Sequence, residues 1–122
     1  MQQDALTQRV IGCCFKVHSE LGPGFPERIY HTALEKVLTA STIAFVSEKV
    51  FHVSFGGAMI GSFKVDLLIE GRVILEVKAV MGPMPKVFES QVLAYLKAAT
   101  RPVGLLVNFG NASCQVRRLV LK

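Results

Sequence analysis

The sequence predicts an α/β fold with a mixed central β-sheet flanked by helices, in the rough order ααβββαββ. Three observations predict this fold class. In three segments, apolar residues recur every three or four positions, which is the period of an amphipathic helix. Apolar, β-branched runs bounded by glycine and proline fill most of the chain after residue 42 and are typical of strands. One predicted helix lies between strands, where a crossover allows neighbouring strands to run parallel.

The three predicted helices cover residues 4–21, 26–40 and 86–100. Proline at position 26 suits the first turn of a helix, where its missing N–H leaves no hydrogen bond unmade. From the apolar spacing we expect Ile29 to lie on the buried face of the second helix and Val87 on that of the third.

The predicted strands follow from apolar runs and the turns between them. Residues 43–55 form one or two strands, and residues 59–69 and 72–79 form a hairpin around Gly71. Residues 102–109 are almost continuously apolar, which is typical of a strand buried on both faces. Residues 115–121 form the last strand.

Length and composition indicate a single domain over residues 1–122 of the chain. No apolar run approaches the roughly 20 residues that span a bilayer, and the first ten residues lack the pattern of a signal peptide. The chain has three cysteines, an odd number, and two of them are adjacent, which does not resemble a disulfide framework. We therefore expect a cytoplasmic protein that does not interact with membranes.

Charge and hydropathy predict two kinds of partner. With 14 Lys and Arg against 9 Asp and Glu, the net charge is +5, and a basic domain favours polyanions such as nucleic acid. The alternative is an ordinary basic protein without that partner. Hydrophobic residues make up 51% of the chain, which is high for a small domain and predicts an apolar partner surface, such as that of a homodimer.

Three charged residues interrupt the apolar strands of the predicted hairpin: Asp66, Glu76 and Lys78. Charges are rare in such strands because burying an unpaired charge is costly. Two carboxylates on neighbouring strands can hold a divalent metal, and a lysine beside them can orient a water. The alternative is a salt-bridged strand pair in which Lys78 neutralises one of the carboxylates.

The length of the hairpin loop decides between these interpretations. Side chains alternate along a strand, so Glu76 and Lys78 share a face. A two-residue turn would place Asp66 opposite Leu75, and Glu76 would point away from it. A three-residue loop, residues 70–72, would place Asp66 opposite Glu76. A metal site therefore requires an odd-length loop or a bulge.

Two of the predicted helices offer further polar candidates. Glu27 shares a helix face with Tyr30 and so points inward, or it complements the helix dipole from the first turn; both can hold at once. Gln91 and Tyr95 are four residues apart and share a face, where they could contact a phosphate, a metal-bound water or a base edge. The alternative is a helix flank whose tyrosine hydroxyl is solvated.

Four short motifs occur in a fixed order along the chain. They are G-x-x-E-x-x-Y from Gly24 to Tyr30, D…E-x-K from Asp66 to Lys78, Q-x-x-x-Y from Gln91 to Tyr95, and the apolar run from Val103 to Gly110. Together they resemble the GxxExxY family, a branch of the PD-(D/E)xK nuclease superfamily, over about residues 8–121. The resemblance implies a restriction-endonuclease-like core.

The resemblance also implies a role for each motif residue. Asp66 and Glu76 match the metal-binding pair, assisted by the backbone carbonyl of Val77. Glu27 matches the helical glutamate of RecB-like members and would hold the metal through water or bind a second ion. Lys78 matches the catalytic lysine. Oxygen ligands of this kind favour Mg²⁺ or Mn²⁺ over zinc.

Gln91 and Tyr95 match the helix motif of RecB-like nucleases, where they would orient the substrate strand. The chain also departs from the family pattern at three positions. Val65 stands where the superfamily commonly has proline, Pro26 precedes Glu27, and Phe88 lies in a stretch where relatives often carry a histidine.

The sequence thus predicts a divalent-metal-dependent nuclease that hydrolyses phosphodiester bonds in nucleic acid, with DNA as the expected substrate. Two alternatives keep the same fold. One is a non-catalytic nucleic-acid-binding or assembly module. The other is a structural homodimer in which Asp66, Glu76 and Lys78 form a buried polar network.

Overall fold

A computed structural model describes residues 4–121, which form three helices and five strands. The predicted ααβββαββ order is confirmed, and residues 43–55 contribute one strand rather than two. In chain order the elements are α1 (Ala5–Leu21), α2 (Glu27–Ala40), β1 (Phe45–Phe55), β2 (Ala58–Ile69), β3 (Val73–Lys78), α3 (Lys86–Ala99), β4 (Val103–Asn108) and β5 (Gln115–Val120).

The five strands form one mixed sheet in the order β1-β2-β3-β4-β5. β3 and β4 are parallel because α3 crosses over between them, and the other neighbours are antiparallel. The predicted mixed sheet is therefore confirmed. β1 and β2 are about twice as long as β3, so their hairpin continues beyond the strand that carries Glu76 and Lys78.

Helices cover both faces of the sheet, and each face has its own core. On one face α1 and α2 pack over a cluster that includes Val10, Leu34, Leu75 and Leu105. On the other face Val92 and Leu96 of α3 pack over Val65, Ile74 and Leu106 of the sheet. β4 is buried along its whole length, which confirms the prediction from its continuous apolar run.

Two predicted core positions are wrong. Ile29 is 43% exposed and Val87 is 65% exposed. The buried face of α2 is centred on Tyr30, Leu34 and Leu38, and Ile29 lies about 100° around the helix from Tyr30. Val87 precedes the buried Val92 by five positions, which turns it about 140° away from the sheet.

Tyr30 fixes the start of α2. Its side chain is fully buried, and its ring stacks on Phe109 with 4.8 Å between the ring centroids. Its hydroxyl donates to the carbonyl of Gly22 (2.6 Å) and accepts from the amide of Phe25 (3.2 Å). The loop before α2 is thereby tied to the end of β4. Pro26 is the N-cap rather than the first helical residue, so Glu27 begins the helix.

The chain after β3 is held by Asn108, which is completely buried. Its amide oxygen accepts from the amides of Val80 (2.9 Å) and Gly110 (3.1 Å). Its amide nitrogen donates to the Val80 carbonyl and the Gln115 side chain, both at 3.0 Å. Gly110 lies so close that a Cβ there would clash with the backbone carbonyl of Val80. This contact positions the segment that follows Lys78.

We predict that Gly110→Ala lowers the free energy of unfolding by about 1–3 kcal/mol, because the added methyl group must displace backbone. Urea denaturation measures the change. Gly12→Ala is the matched control, since a Cβ there meets nothing within 4 Å and the site lies inside α1. That substitution should stabilise the protein by about 0.5–1 kcal/mol. Equal stability of both variants would contradict the close packing at Gly110.

Candidate functional site

The hairpin between β2 and β3 has the three-residue loop that the metal-site hypothesis requires. Ile69 pairs with Val73, so residues 70–72 form the loop. The glycine at position 71 has a φ of 70°, a left-handed conformation that suits glycine. Continued along the strands, this register brings Asp66 opposite Glu76. The structure therefore has the register that a metal site requires and not that of a two-residue turn.

At Asp66 and Glu76, hydrogen bonds from backbone amides to side-chain carboxylates replace the backbone–backbone hydrogen bonds between β2 and β3. The Asp66 amide donates to Oε2 of Glu76, and the Val77 amide donates to Oδ2 of Asp66, both at 2.7 Å. One oxygen of each carboxylate is thus fixed by backbone, and the other accepts no hydrogen bond from residues 4–121. The Val77 carbonyl points to the same side as its amide, as in any strand residue. Three oxygen-bearing groups therefore converge on the gap between β2 and β3.

Glu76 is a strongly perturbed acid. The residue is only 5% exposed. Burial, and secondarily the negative charge of Asp66, raises its pKa to about 7, while the hydrogen bond from the Asp66 amide and the charge of Lys78 act in the opposite direction. Two carboxylates close together in a poorly solvated gap repel each other, and a bound cation would relieve that repulsion.

Lys78 is held beside this pair by an aromatic ring. It lies two residues after Glu76 on β3, and its Nζ is 4.5 Å from the centroid of the Phe88 ring on α3. This is a cation–π contact. Within residues 4–121, Lys78 forms no ion pair with Asp66 or Glu76. The alternative of a salt-bridged strand pair is therefore wrong.

Glu27 reaches the same site from the first turn of α2. The residue is exposed at the helix start, but partial burial of its carboxyl raises its pKa. Lys78 lowers that pKa and Asp66 raises it, which puts Glu27 within electrostatic reach of both. Glu27 also lines a cleft of about 260 Å³ together with Arg28, His31, Glu48, Asp66 and Val77.

Tyr95 approaches the site from α3, whereas Gln91 makes no hydrogen bond to it. The Tyr95 ring stacks on Phe63 with 4.3 Å between centroids. Its pKa is raised by burial and then by the charges of Glu76 and Asp66, so its hydroxyl is near the acidic pair. Gln91 lies one helical turn earlier, is exposed, and makes no hydrogen bond within residues 4–121.

Glu48 is a cleft residue that the sequence reasoning missed. β1 pairs with β2 at Ser47–Leu67 and Lys49–Val65 in the same register. Glu48 and Asp66 lie opposite each other between these two pairs but are not paired in the ladder. Glu48 has a φ of 52°, unusual for a residue other than glycine, and its side chain lines the cleft. No sequence pattern signals a positive φ at this position.

His31, also missed, lies one turn after Glu27 on the same face of α2, and that i+4 spacing was an available signal. Its Nε2 is 2.9 Å from the Ser47 hydroxyl and 3.2 Å from Oε2 of Glu35. The Ser47 hydroxyl donates to the Glu35 carboxylate. This three-residue network joins α2 to β1 beside the cleft.

The donor set fits a hard divalent cation that keeps much of its hydration. In the described part of the chain, no three His, Cys, Asp or Glu side chains are clustered closely enough to hold an ion by themselves. Asp66, Glu76 and the Val77 carbonyl offer oxygen atoms only. Mg²⁺-type ions are commonly bound by one or two carboxylates, with water and substrate completing the coordination.

Comparison with known families agrees with this geometry. Residues 4–119 match the family described as the PD-(D/E)XK nuclease superfamily, which is nearly the whole chain. The chain therefore belongs to the PD-(D/E)XK nuclease superfamily, and its mixed sheet with three helices is consistent with a restriction-endonuclease-like fold. Nucleases of this superfamily generally use divalent metals and act on nucleic acid.

A solved structure shares the fold. The "Crystal structure of SSO0001" superposes with a TM-score of 0.62 at 20% sequence identity, covering 76% of this chain and 48% of that one. The chain thus spans about half the length of that protein, and at this identity the likeness concerns the fold alone. A search of curated proteins gave no match. No helix within residues 4–121 is long and apolar enough to cross a membrane.

We predict that Glu76→Gln flattens the pH dependence of stability in metal-free protein. The folded-state pKa of about 7 exceeds the ordinary 4.5. The contribution of Glu76 to stability is therefore complete below pH 4.5 and is lost as the pH rises through 7, by on the order of 2–3 kcal/mol. The glutamine oxygen can still accept from the Asp66 amide.

Urea unfolding in EDTA at pH 5 and pH 8 measures this effect. The wild type should lose more stability between the two values than the Gln variant does. The same loss in both proteins would mean that Glu76 is not the group whose buried charge destabilises the site.

Proposed function

We propose that the protein is a divalent-metal-dependent nuclease that hydrolyses phosphodiester bonds in nucleic acid, with Mg²⁺ or Mn²⁺ as the metal and DNA as the substrate. The observation that carries this proposal is the paired placement of Asp66 and Glu76, each with one carboxylate oxygen fixed by a backbone amide and one without a hydrogen bond from residues 4–121. Lys78 stands beside the pair without neutralising it by an ion pair within residues 4–121.

In this proposal Asp66, Glu76 and the Val77 carbonyl hold the ion, and Glu27 holds one of its waters or a second ion. A bound Mg²⁺ or Mn²⁺ supplies Lewis-acid polarisation of the phosphoryl oxygen and a lowered pKa of water. Hydrogen bonds from backbone amides hold both carboxylates in place, so the site is preorganised before substrate binds.

Lys78 positions the attacking water and stabilises negative charge that develops on the phosphate. Its contact with the Phe88 ring keeps the ammonium near the carboxylates without quenching it. The Tyr95 hydroxyl, oriented by the stack on Phe63, and Gln91 on the exposed rim of α3 orient the strand.

Further features support the finer parts of the proposal. The net charge of +5 favours a polyanion such as DNA. Tyr30 and Glu27 explain the G-x-x-E-x-x-Y motif, because Tyr30 anchors the loop that presents Glu27, and this supports assignment to the GxxExxY branch.

The cysteines and the exposed apolar residues bear on compartment and oligomeric state. Cys13, Cys14 and Cys114 are free thiols, which suits a reducing cytoplasm. Exposed Phe55 and Ile60 on the β1–β2 hairpin favour a homodimer surface.

A non-catalytic nucleic-acid-binding module is the second candidate. It is favoured by one departure from the family pattern: Phe88, which contacts Lys78, lies in a stretch where relatives often carry a histidine. Such a module would bind DNA in a salt-dependent manner without turnover in any metal.

We predict cleavage of DNA substrates in Mg²⁺ or Mn²⁺ and none in EDTA. Lys78→Ala and Glu76→Gln should each reduce the cleavage rate by roughly 100-fold or more, because the first removes a charge that stabilises the transition state and the second removes a charged ligand of the metal. The assay is a panel of labelled single-stranded, double-stranded and RNA oligonucleotides incubated with each metal.

Lys16→Ala is the control, since Lys16 is exposed on α1 and pairs only with Glu20 among residues 4–121. It should cleave at the wild-type rate. Far-UV circular dichroism verifies that the inactive variants are folded. Undiminished cleavage in EDTA, or full activity of Lys78→Ala, would reject the proposed mechanism. Salt-dependent binding of DNA with no cleavage in any metal would favour the non-catalytic module.

A further inference from the structure

The cleft beside the proposed metal site is lined by several carboxylates, and these oppose the approach of a polyanionic substrate. Glu27, Glu48 and Asp66 all line it, and Glu76 lies next to Asp66. A phosphodiester strand that approaches these carboxylates meets repulsion from each of them. A cation at the same cleft that is not already neutralised would offset this repulsion.

Arg28 is such a cation. It follows Glu27 in the first turn of α2, is exposed, and lines the cleft together with Asp66 and Val77. Within residues 4–121 its guanidinium has no ion-pair partner and makes no hydrogen bond. A guanidinium can bind two phosphate oxygens at once, and it remains charged at any physiological pH.

One acid of the cleft, Glu48, already has a partner. Lys64 donates to Oε1 of Glu48 at 3.0 Å. Its hydrogen bond and charge lower the pKa of Glu48, and the charges of His31 and Arg28 lower it further by smaller amounts. Arg28 therefore stands within electrostatic reach of Glu48 without being bound to it.

Arg28 is also presented from a fixed element. The Tyr30 hydroxyl ties the preceding loop to the helix, and the network of His31, Ser47 and Glu35 ties α2 to β1. The backbone that carries Arg28 is therefore fixed, while its side chain is free to reach into the cleft. A binding group on a fixed helix loses less entropy on contact than one on a loose loop.

We propose that Arg28 binds a backbone phosphate of the nucleic-acid strand that enters the cleft between α2 and Asp66. This inference rests on the proposed function in one respect, since it takes a nucleic acid as the ligand of the cleft. It does not require the protein to cleave that ligand. Arg28 is thus a substrate-binding residue, distinct from the groups that hold the metal.

The test is the salt dependence of DNA binding, measured by fluorescence anisotropy of a labelled oligonucleotide in EDTA. Each phosphate contact contributes about 0.7 (single strand) to 0.9 (duplex) to the slope of log Kobs against log salt concentration. Arg28→Gln should weaken binding and reduce the magnitude of the slope by one such increment. Arg28→Lys keeps the charge, so it should keep the slope while binding less tightly, because an ammonium cannot make the bidentate contact.

Lys36→Gln is the matched control. It removes one positive charge from the same helix, but Lys36 lines a different surface, with Glu35, Thr39 and Phe45. Binding and slope should remain close to wild type. If Arg28→Gln and Lys36→Gln reduce the magnitude of the salt slope equally, the effect comes from the overall charge of the protein, and the inference is overturned.

Parallel cleavage assays separate this inference from the proposed function. If the wild type cleaves DNA and Arg28→Gln keeps the wild-type slope and affinity, the inference fails and the nuclease proposal stands. If the wild type binds DNA without cleaving it and Arg28→Gln loses the increment, the inference stands and the nuclease proposal fails. If the wild type binds no nucleic acid at any salt concentration, Arg28 has no such role.

Discussion

The pair of hydrogen bonds that joins Asp66, Glu76 and the Val77 amide is the constraint on which the site depends. The three-residue loop sets the register, and the register brings two carboxylates face to face across neighbouring strands. Each carboxylate accepts a hydrogen bond from a backbone amide that has no partner in the strand ladder. A shift of one residue would turn one carboxylate to the opposite face of the sheet.

The burial of Glu76 beside Asp66 has an energetic cost that is typical of functional sites. Glu76 is buried next to another acid, and its raised pKa reflects that cost. A domain built only for stability would place an apolar side chain there, because removing a buried charge often stabilises a fold. The surrounding structure compensates through rigid packing: Tyr30 fixes the start of α2, and Asn108 fixes the chain after β3.

Much of the fold could be predicted from the sequence because periodicity and turn residues report local structure. From the sequence we could state which hairpin register a metal site requires, since an odd-length loop places Asp66 opposite Glu76. The positive φ of Glu48 was not predictable, because no glycine or turn residue marks that position in the sequence. Val87 and Ile29 were misassigned for a related reason: spacing gives a helix period, but the sheet decides which face is buried.

The most direct test of the central claim is crystallographic. Crystals grown without metal and soaked in Mn²⁺ would be measured near the manganese absorption edge, where the ion gives an anomalous signal. The account predicts an anomalous peak in the gap between Asp66 and Glu76, within coordination distance of both carboxylates, and no peak there in crystals of Glu76→Gln. A soaked wild-type crystal with both carboxylates ordered and no peak between them would contradict it.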